Sequence, residues 1–168
     1  MTTDKESLCV TMVNDDLSAG PTYEMSPDYH IRWYVQGDQE TWTAIQGAAD
    51  RDNAITQDLF RREFPEGTFD LGERQCYLCD RAARALGTAT AWAETKGQYT
   101  GYGLVHWVAV LPEFQRHGIG SMLMSVVCRR LVDLGHERAC LRTSTLRPGA
   151  IALYRRFGFV TASVDSWT

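Results

Sequence analysis

No apolar run in the 168 residues approaches the ~18 needed to cross a bilayer, so the chain does not read as a membrane-spanning protein. Residues 1–20 do not read as a secretory leader either: Asp4, Lys5 and Glu6 precede only a short apolar run, Leu8 to Val13, which Asn14-Asp15-Asp16 interrupts. Five cysteines, an odd number scattered through strand-like and helical patterns, suit a reducing cytoplasm rather than a disulfide framework. Cys76 and Cys79 make one Cys-x-x-Cys, but no second pair completes a zinc site, and in a strand they point to opposite faces. No metal is therefore expected. Positive charge is in deficit, with 17 Lys and Arg against 21 Asp and Glu and a net charge of −4. Without a basic face a nucleic-acid partner is disfavoured, while a cationic amine as substrate is not. Internal repeats and low-complexity segments are also lacking.

What remains is the composition of an ordinary globular protein, 44% apolar and 23% charged, of a length that suits one domain. Residues 1–28 read as an N-terminal extension or loop, since 14–29 is rich in Asp, Ser, Gly and Pro; the domain proper is 29–168. Alternation predicts a strand over Tyr29–Val35. Asp38 is placed to cap a helix with Trp42, Ile45 and Ala49 on one side, and Thr56 a second with Leu59, Phe60 and Phe64, stopped by Pro65. Strands near Arg74–Asp80 and Ala85–Glu94 suggest a hairpin, although Arg81-Ala82-Ala83 carries little turn chemistry. A loop, Gly97–Gly103, leads to a strand at Val105–Val110. A helix from Gly118 follows, its residues Ile119, Met122, Leu123, Val126, Val127 and Leu134 at helical spacing, ending at Gly135. A strand at Arg138–Ser144, a helix from Pro148 to Phe157 and a strand at Phe159–Val164 complete the chain. Strand, helix, strand around Gly118 is a right-handed βαβ unit with parallel strands. The earlier strands look antiparallel, so the expected class is α/β or α+β, a mixed sheet flanked by helices.

A strand that delivers its chain through glycines into a helix start is built to hold an anion, because first-turn N–H groups have no partner inside the helix and the helix dipole is positive there. A dinucleotide fingerprint needs a third glycine where Leu123 stands, and a P-loop needs Gly-Lys-Ser/Thr where Gly120 is followed by Ser121 and Met122. The pattern that fits is Gln115-x-x-Gly118-x-Gly120 after Val108-Ala109-Val110-x-Pro112. It resembles motif A of the GNAT superfamily of acetyl-coenzyme A-dependent N-acetyltransferases. The later run Ala150-x-x-Leu153-Tyr154-x-x-x-Gly158-Phe159 resembles that family's motif B, at a distance that leaves room for one helix and one strand. The match covers about residues 104–160, a third of the chain. Two features depart from it. Many members carry Asn three positions before the motif B alanine, where this chain has Arg147, so the polar contact to the cofactor arm assigned to that asparagine is not carried over. Members commonly end in two strands, but only ten residues follow Gly158. Leu8–Val13, or a strand of a second subunit in a homodimer, are the candidates for the missing place.

The resemblance implies a GNAT-like twisted mixed sheet and acetyl-coenzyme A as cosubstrate. It assigns the pyrophosphate to Arg116, His117, Gly118, Ile119, Gly120 and Ser121, with side-chain contacts from Gln115 and Arg116. Main chain from Val108, Ala109 and Val110 pairs with the pantetheine arm, and an N–H there, that of Val108, polarises the thioester carbonyl. It also assigns Tyr154 as acid toward the departing thiolate. An alkylamine of pKa ≈ 10.4 lies about 3.4 units above pH 7, so its neutral form costs roughly 4.6 kcal/mol and a base is needed. His106 is the candidate, sharing a face with Val108 and Val110 by alternation and resembling a histidine of the arylalkylamine N-acetyltransferases; Glu94 is the alternative. Trp42, Phe60, Phe64, Trp92, Tyr99 and Tyr102 offer walls for an acceptor pocket. The expectation is a cytoplasmic N-acetyltransferase acting on a primary amine, foremost of a small molecule, by direct transfer in a ternary complex. The alternatives are a protein N-terminal or lysine acetyltransferase and a non-catalytic acyl-coenzyme A-binding regulator.

Overall fold

Seven strands form one mixed sheet in the spatial order β2-β3-β4-β5-β6-β1-β7. The computed structural model describes residues 6–167. In chain order the elements are β1 (Cys9–Asn14), β2 (Tyr29–Trp33), α1 (Asp38–Ala49), α2 (Gln57–Glu63), β3 (Gln75–Asp80), β4 (Ala85–Ala93), β5 (Gly103–Val110), α3 (Ile119–Asp133), β6 (Ala139–Ser144), α4 (Pro148–Arg156) and β7 (Val160–Asp165), joined by loops and short 3-10 turns. β5 and β6 are parallel and every other neighbouring pair is antiparallel, as expected for a central β5-α3-β6 unit.

Local chemistry explains most boundaries. Thr56 caps α2 by accepting a hydrogen bond from Leu59 N at 3.1 Å. The cap of α1 is Gly37, not Asp38. Asp38 is the first helical residue, and its buried carboxylate instead accepts two bonds from Arg32 (2.7 and 2.9 Å) and one from Val35 N (2.8 Å). The β3–β4 hairpin forms despite its turn sequence. The Asp80 side chain accepts from Ala82 N and Arg84 N, and Ala83 takes a left-handed φ of 63°.

β1 corrects the reading of residues 1–28 as extension or loop. It lies inside the sheet, antiparallel to β6 on one side and β7 on the other. Leu8–Val13 therefore does supply the place for which it was a candidate. Burial accounts for this, since Val10, Met12 and Val13 are all in the core. Cys76 and Cys79 are buried free thiols on β3, and burial raises Cys76 to about 12. Neither is a reactive group.

α1 and α2 cover one face of the sheet and α3 the other. On the first face Trp42, Phe60, Phe64 and Trp92 stack edge-to-face or tilted at 5.0–5.6 Å. On the second, α3 presses so close to β4 that a Cβ at Gly87 would meet Leu123 Cδ1 at 2.9 Å and Ala109 O at 3.0 Å.

Candidate active site

β5 and β6 touch over only two residue pairs, Gly103↔Ala139 and Leu104↔Cys140. β5 then continues to Val110, roughly 20 Å further at the usual strand rise, while β6 pairs with β1 along its whole length. The sheet is thus split on the β6 side of β5, and main-chain groups there have no strand to pair with. Buried backbone N–H and C=O groups need partners. Two carbonyls have recruited side chains: Trp107 O accepts from Gln46 Nε2 at 2.8 Å and Val110 O from Gln115 Nε2 at 3.3 Å. An extended polar arm in the split would satisfy the others.

A bulge lies at the same place. Between the pairs Thr88↔Ala109 and Thr90↔His106, β4 has one residue, Ala89, and β5 has two, Trp107 and Val108. Trp107 takes φ 53°, a left-handed conformation uncommon for an aromatic residue. The Gln46 bond and packing of Trp107 on Trp42, centroids 5.3 Å apart, hold it there. Such bulges re-aim side chains. Thr88 and Thr90 share a face, so their partners Ala109 and His106 do too, toward α1 and α2. Val110 pairs with Gly87 on the α3 face. Simple alternation puts His106 on one face with Val108 and Val110; the extra residue of the bulge places it with Ala109 instead.

The split opens into a cavity of about 530 Å³ at the start of α3. Its walls are Val108, Ala109 and Val110 of β5, the loop from Phe114 to Arg116, Gly118 to Ser121, and one side of α4 including Arg147, Leu153 and Tyr154. Gly118 is the N-cap of α3, with φ 77° and no side-chain cap, so the N–H groups of Ile119, Gly120 and Ser121 point outward without helical partners. The first turn holds no acidic residue to compete for them. Arg116 also has positive φ, and Nη2 of Arg156, a cavity residue not foreseen, lies 3.4 Å from Ser121 Oγ. A cluster of outward N–H groups flanked by guanidinium groups fits a doubly charged phosphate ester. At Gly120 a Cβ would stand 3.0 Å from Leu153 Cδ2, so the glycine also keeps α4 close.

Of the expected cofactor residues, Val108, Ala109, Val110, Gln115, Arg116, Gly118, Ile119, Gly120 and Ser121 come together on this cavity with Tyr154. His117 turns back, Nδ1 to Phe114 O at 3.1 Å, and is not on the wall. Tyr154 is 7% exposed, and burial pushes its phenol up to about 12, with the Arg147 charge opposing. His106 is not on the cavity wall; it lies on the face of β5 that it shares with Ala109. Its Nε2 is 3.1 Å from Glu63 Oε2 and its ring packs edge-on to Phe64 at 5.5 Å. The hydrogen bond to His106 holds Glu63 below the usual carboxylate range, against the effect of burial. Glu94 is paired with Arg142 at 2.7 Å. Burial works to raise it, but that bond and backbone N–H donors hold it low, which makes it a poor base. Trp42, Phe60, Phe64 and Trp92 are buried core residues, whereas Tyr99 and Tyr102 pack on each other at 5.4 Å.

Residues 40–159 match the profile of the Acetyltransferase (GNAT) family. The chain belongs to that family. It is 30% identical over 154 residues to a protein named mycothiol acetyltransferase from an Arthrobacter species, covering 86% of this chain and 46% of that one. A second mycothiol acetyltransferase, from Pseudarthrobacter chlorophenolicus, is 29% identical over 141 residues, 80% of this chain and 43% of that protein. The GCN5-related N-acetyltransferase from Sphaerobacter thermophilus superposes with a TM-score of 0.77 at 19% identity, over 94% of this chain and 49% of that one. The GNAT chain described here thus spans about half the length of these relatives. Among the described residues no group of three or more His, Cys, Asp and Glu side chains is arranged to hold a metal ion, and no helix is long and apolar enough to cross a membrane.

Proposed function

We propose that this chain is an acetyl-coenzyme A-dependent N-acetyltransferase whose acceptor is a primary amine, foremost of a small molecule, and that transfer is direct within a ternary complex. The observation that carries the reading is the split beside β5, which leads into the N–H cluster at Gly118. It matches an arm of amides ending in a pyrophosphate. When bound, that ligand supplies an activated acetyl thioester.

The chain's own residues then divide the work. N–H groups of Ile119, Gly120 and Ser121, with Arg116 and Arg156, grip the pyrophosphate. Val108, Ala109 and Val110 receive the arm as an added strand. The Val108 N–H, at the bulge, polarises the thioester carbonyl. His106 accepts the amine proton, directly or through one water, while Glu63 accepts from its other ring nitrogen and so fixes its orientation. Tyr154 donates a hydrogen bond to the departing sulfur. Support for a small-molecule acceptor comes from the relatives named mycothiol acetyltransferases.

Thiol release with acetyl-coenzyme A, measured across small primary amines and across peptides with free N-termini or lysines, tests this. Release with small amines is expected. Release with peptides alone would move the acceptor to the protein class, and none in either arm would leave a binding protein without turnover. Direct transfer further requires that intact mass show no acetylated protein after incubation with acetyl-coenzyme A alone.

A further inference from the structure

Arg147 stands at the N-cap of α4, where its side chain makes no cap hydrogen bond. Asparagine, which many family members carry here, is a strong N-cap residue, so the arginine gives up local helix stability. Its guanidinium reaches the end of α1 instead, with Nη2 2.8 Å from Asp50 Oδ2. The Asp50 side chain is 3% exposed. Its own loop fixes it: Asp52 N and Asn53 N donate to Oδ1 at 2.9 and 3.2 Å, and Asn53 Nδ2 donates to Oδ2 at 2.9 Å. Burial works to raise Asp50, but these bonds and the Arg147 charge hold it below the carboxylate range. Arg147 therefore has a permanent anion as anchor. A guanidinium has five N–H donors, and this one lines the cavity with its side chain 41% exposed.

Tyr154 lies seven residues further along α4, two helical turns, on the same wall. Burial makes the Tyr154 phenol a weaker acid than an ordinary one, so it donates a hydrogen bond to the departing thiolate rather than a full proton. Hydrogen bonding by Tyr154 alone leaves the charge on sulfur largely uncompensated.

We propose that Arg147, anchored by Asp50, is the cation that stabilises the thiolate leaving as the acetyl group is transferred. This rests on the acetyl-transfer reading above. In the step, the amine nitrogen bonds to the acetyl carbon, the carbon–sulfur bond breaks, and its electron pair goes to sulfur. The amine's proton goes to His106 and on to solvent. Sulfur departs as a thiolate facing Arg147, hydrogen-bonded by Tyr154, and takes its proton from solvent on release.

The charged and titratable groups on the cavity wall are Arg116, Arg147, Arg156 and Tyr154, with Asp50 bonded to Arg147 behind it and the His106–Glu63 pair on the α2 side of the sheet. A sulfur-free analogue of coenzyme A cancels the effect of any of these on the rest of the ligand. Calorimetry at pH 6 and pH 9 then reads the sulfur alone. In the wild type, affinity for coenzyme A relative to the analogue should rise at least about twofold between the two pH values, the direction that a lowered thiol pKa gives. In Arg147→Met the ratio should stay flat while affinity for the analogue changes less than about threefold; Arg147→Asn is the second neutral variant if the first fails to fold. A ratio that still rises in the neutral variants, or equal losses for both ligands, would overturn the proposal, as would a flat ratio in the wild type. A wild type that binds neither ligand would overturn the acetyl-transfer reading itself.

Discussion

Replacing Gly118 with alanine isolates the backbone's share of the proposed anion cradle. The residue sits at φ 77° and ψ 5°, and a Cβ built there has no heavy atom within 4 Å. Steric clash with the surroundings is therefore excluded, and the cost is that of a left-handed conformation for an L-residue, about 1–2 kcal/mol. In a domain of this size that lowers the melting temperature by about 2–8 °C. If the backbone relaxes to escape the strain, the N–H groups of Ile119, Gly120 and Ser121 lose their common aim. The attraction of a helix start for an anion is worth about 0.3–1 kcal/mol when exposed and up to ~2 kcal/mol when partly buried, which amounts to a loss of about 2- to 30-fold in acetyl-coenzyme A affinity. Thermal melts of the ligand-free protein and calorimetric titration of the ligand measure the two effects separately. An alanine variant with unchanged melting temperature and unchanged affinity would mean that neither the left-handed turn nor the aim of these N–H groups depends on Gly118. Gly120→Ala is the contrast: its φ is ordinary, and the added carbon meets only the movable end of Leu153 at 3.0 Å. Its effect should be smaller and should be relieved in combination with Leu153→Ala, a coupling that a double-mutant cycle reads directly.

Three other outcomes follow from the same geometry. Tyr154→Phe should lower turnover by about tenfold or more yet change acetyl-coenzyme A affinity less than twofold, because the lost group is a hydroxyl and not packing surface; equal turnover would remove Tyr154 from the reaction. His106→Ala should flatten the acidic limb of the pH–rate profile, and Glu63→Gln should alter that limb while leaving cofactor affinity intact; an unchanged limb in both excludes the pair. Burial works to raise the Asp38 carboxyl, but Arg32 and the Val35 N–H hold its folded pKa below the ordinary value. Its contribution is therefore present at neutral pH and fades as pH falls through and below ~3.9, the unfolded value. Asp38→Asn should destabilise the protein at pH 7 and show a shallower loss of stability on acidification, measured by denaturant melts.

The features legible in the sequence are those whose signal is local. The glycine turn into α3 follows from Gln115, Gly118 and Gly120 preceding an apolar helix, and α2 from Thr56 and Pro65. The bulge in β5 could not be found this way, since it rests on Trp107, an aromatic residue in a conformation that glycine usually marks. Its consequence, the reversal of faces beyond His106, was lost with it. The place of β1 depends on which strands its two edges meet, at separations above 120 residues, and its six residues carry no trace of that choice. The same holds for the ion pair of Asp50 with Arg147 and the contact of Glu63 with His106, which join residues 97 and 43 apart in the chain. In the sequence Arg147 is only a departure from a pattern, and its local cost as an N-cap is the one sign that its side chain is used elsewhere.

In the proposed complex the arm and pyrophosphate of acetyl-coenzyme A lie along β5 and the start of α3. Amide hydrogen exchange with and without the ligand tests it residue by residue. Added protection is predicted at Val108–Val110 and at Ile119–Ser121, with little change at β2, β3 and β7. Protection confined to other segments, or none at saturating ligand, would contradict it.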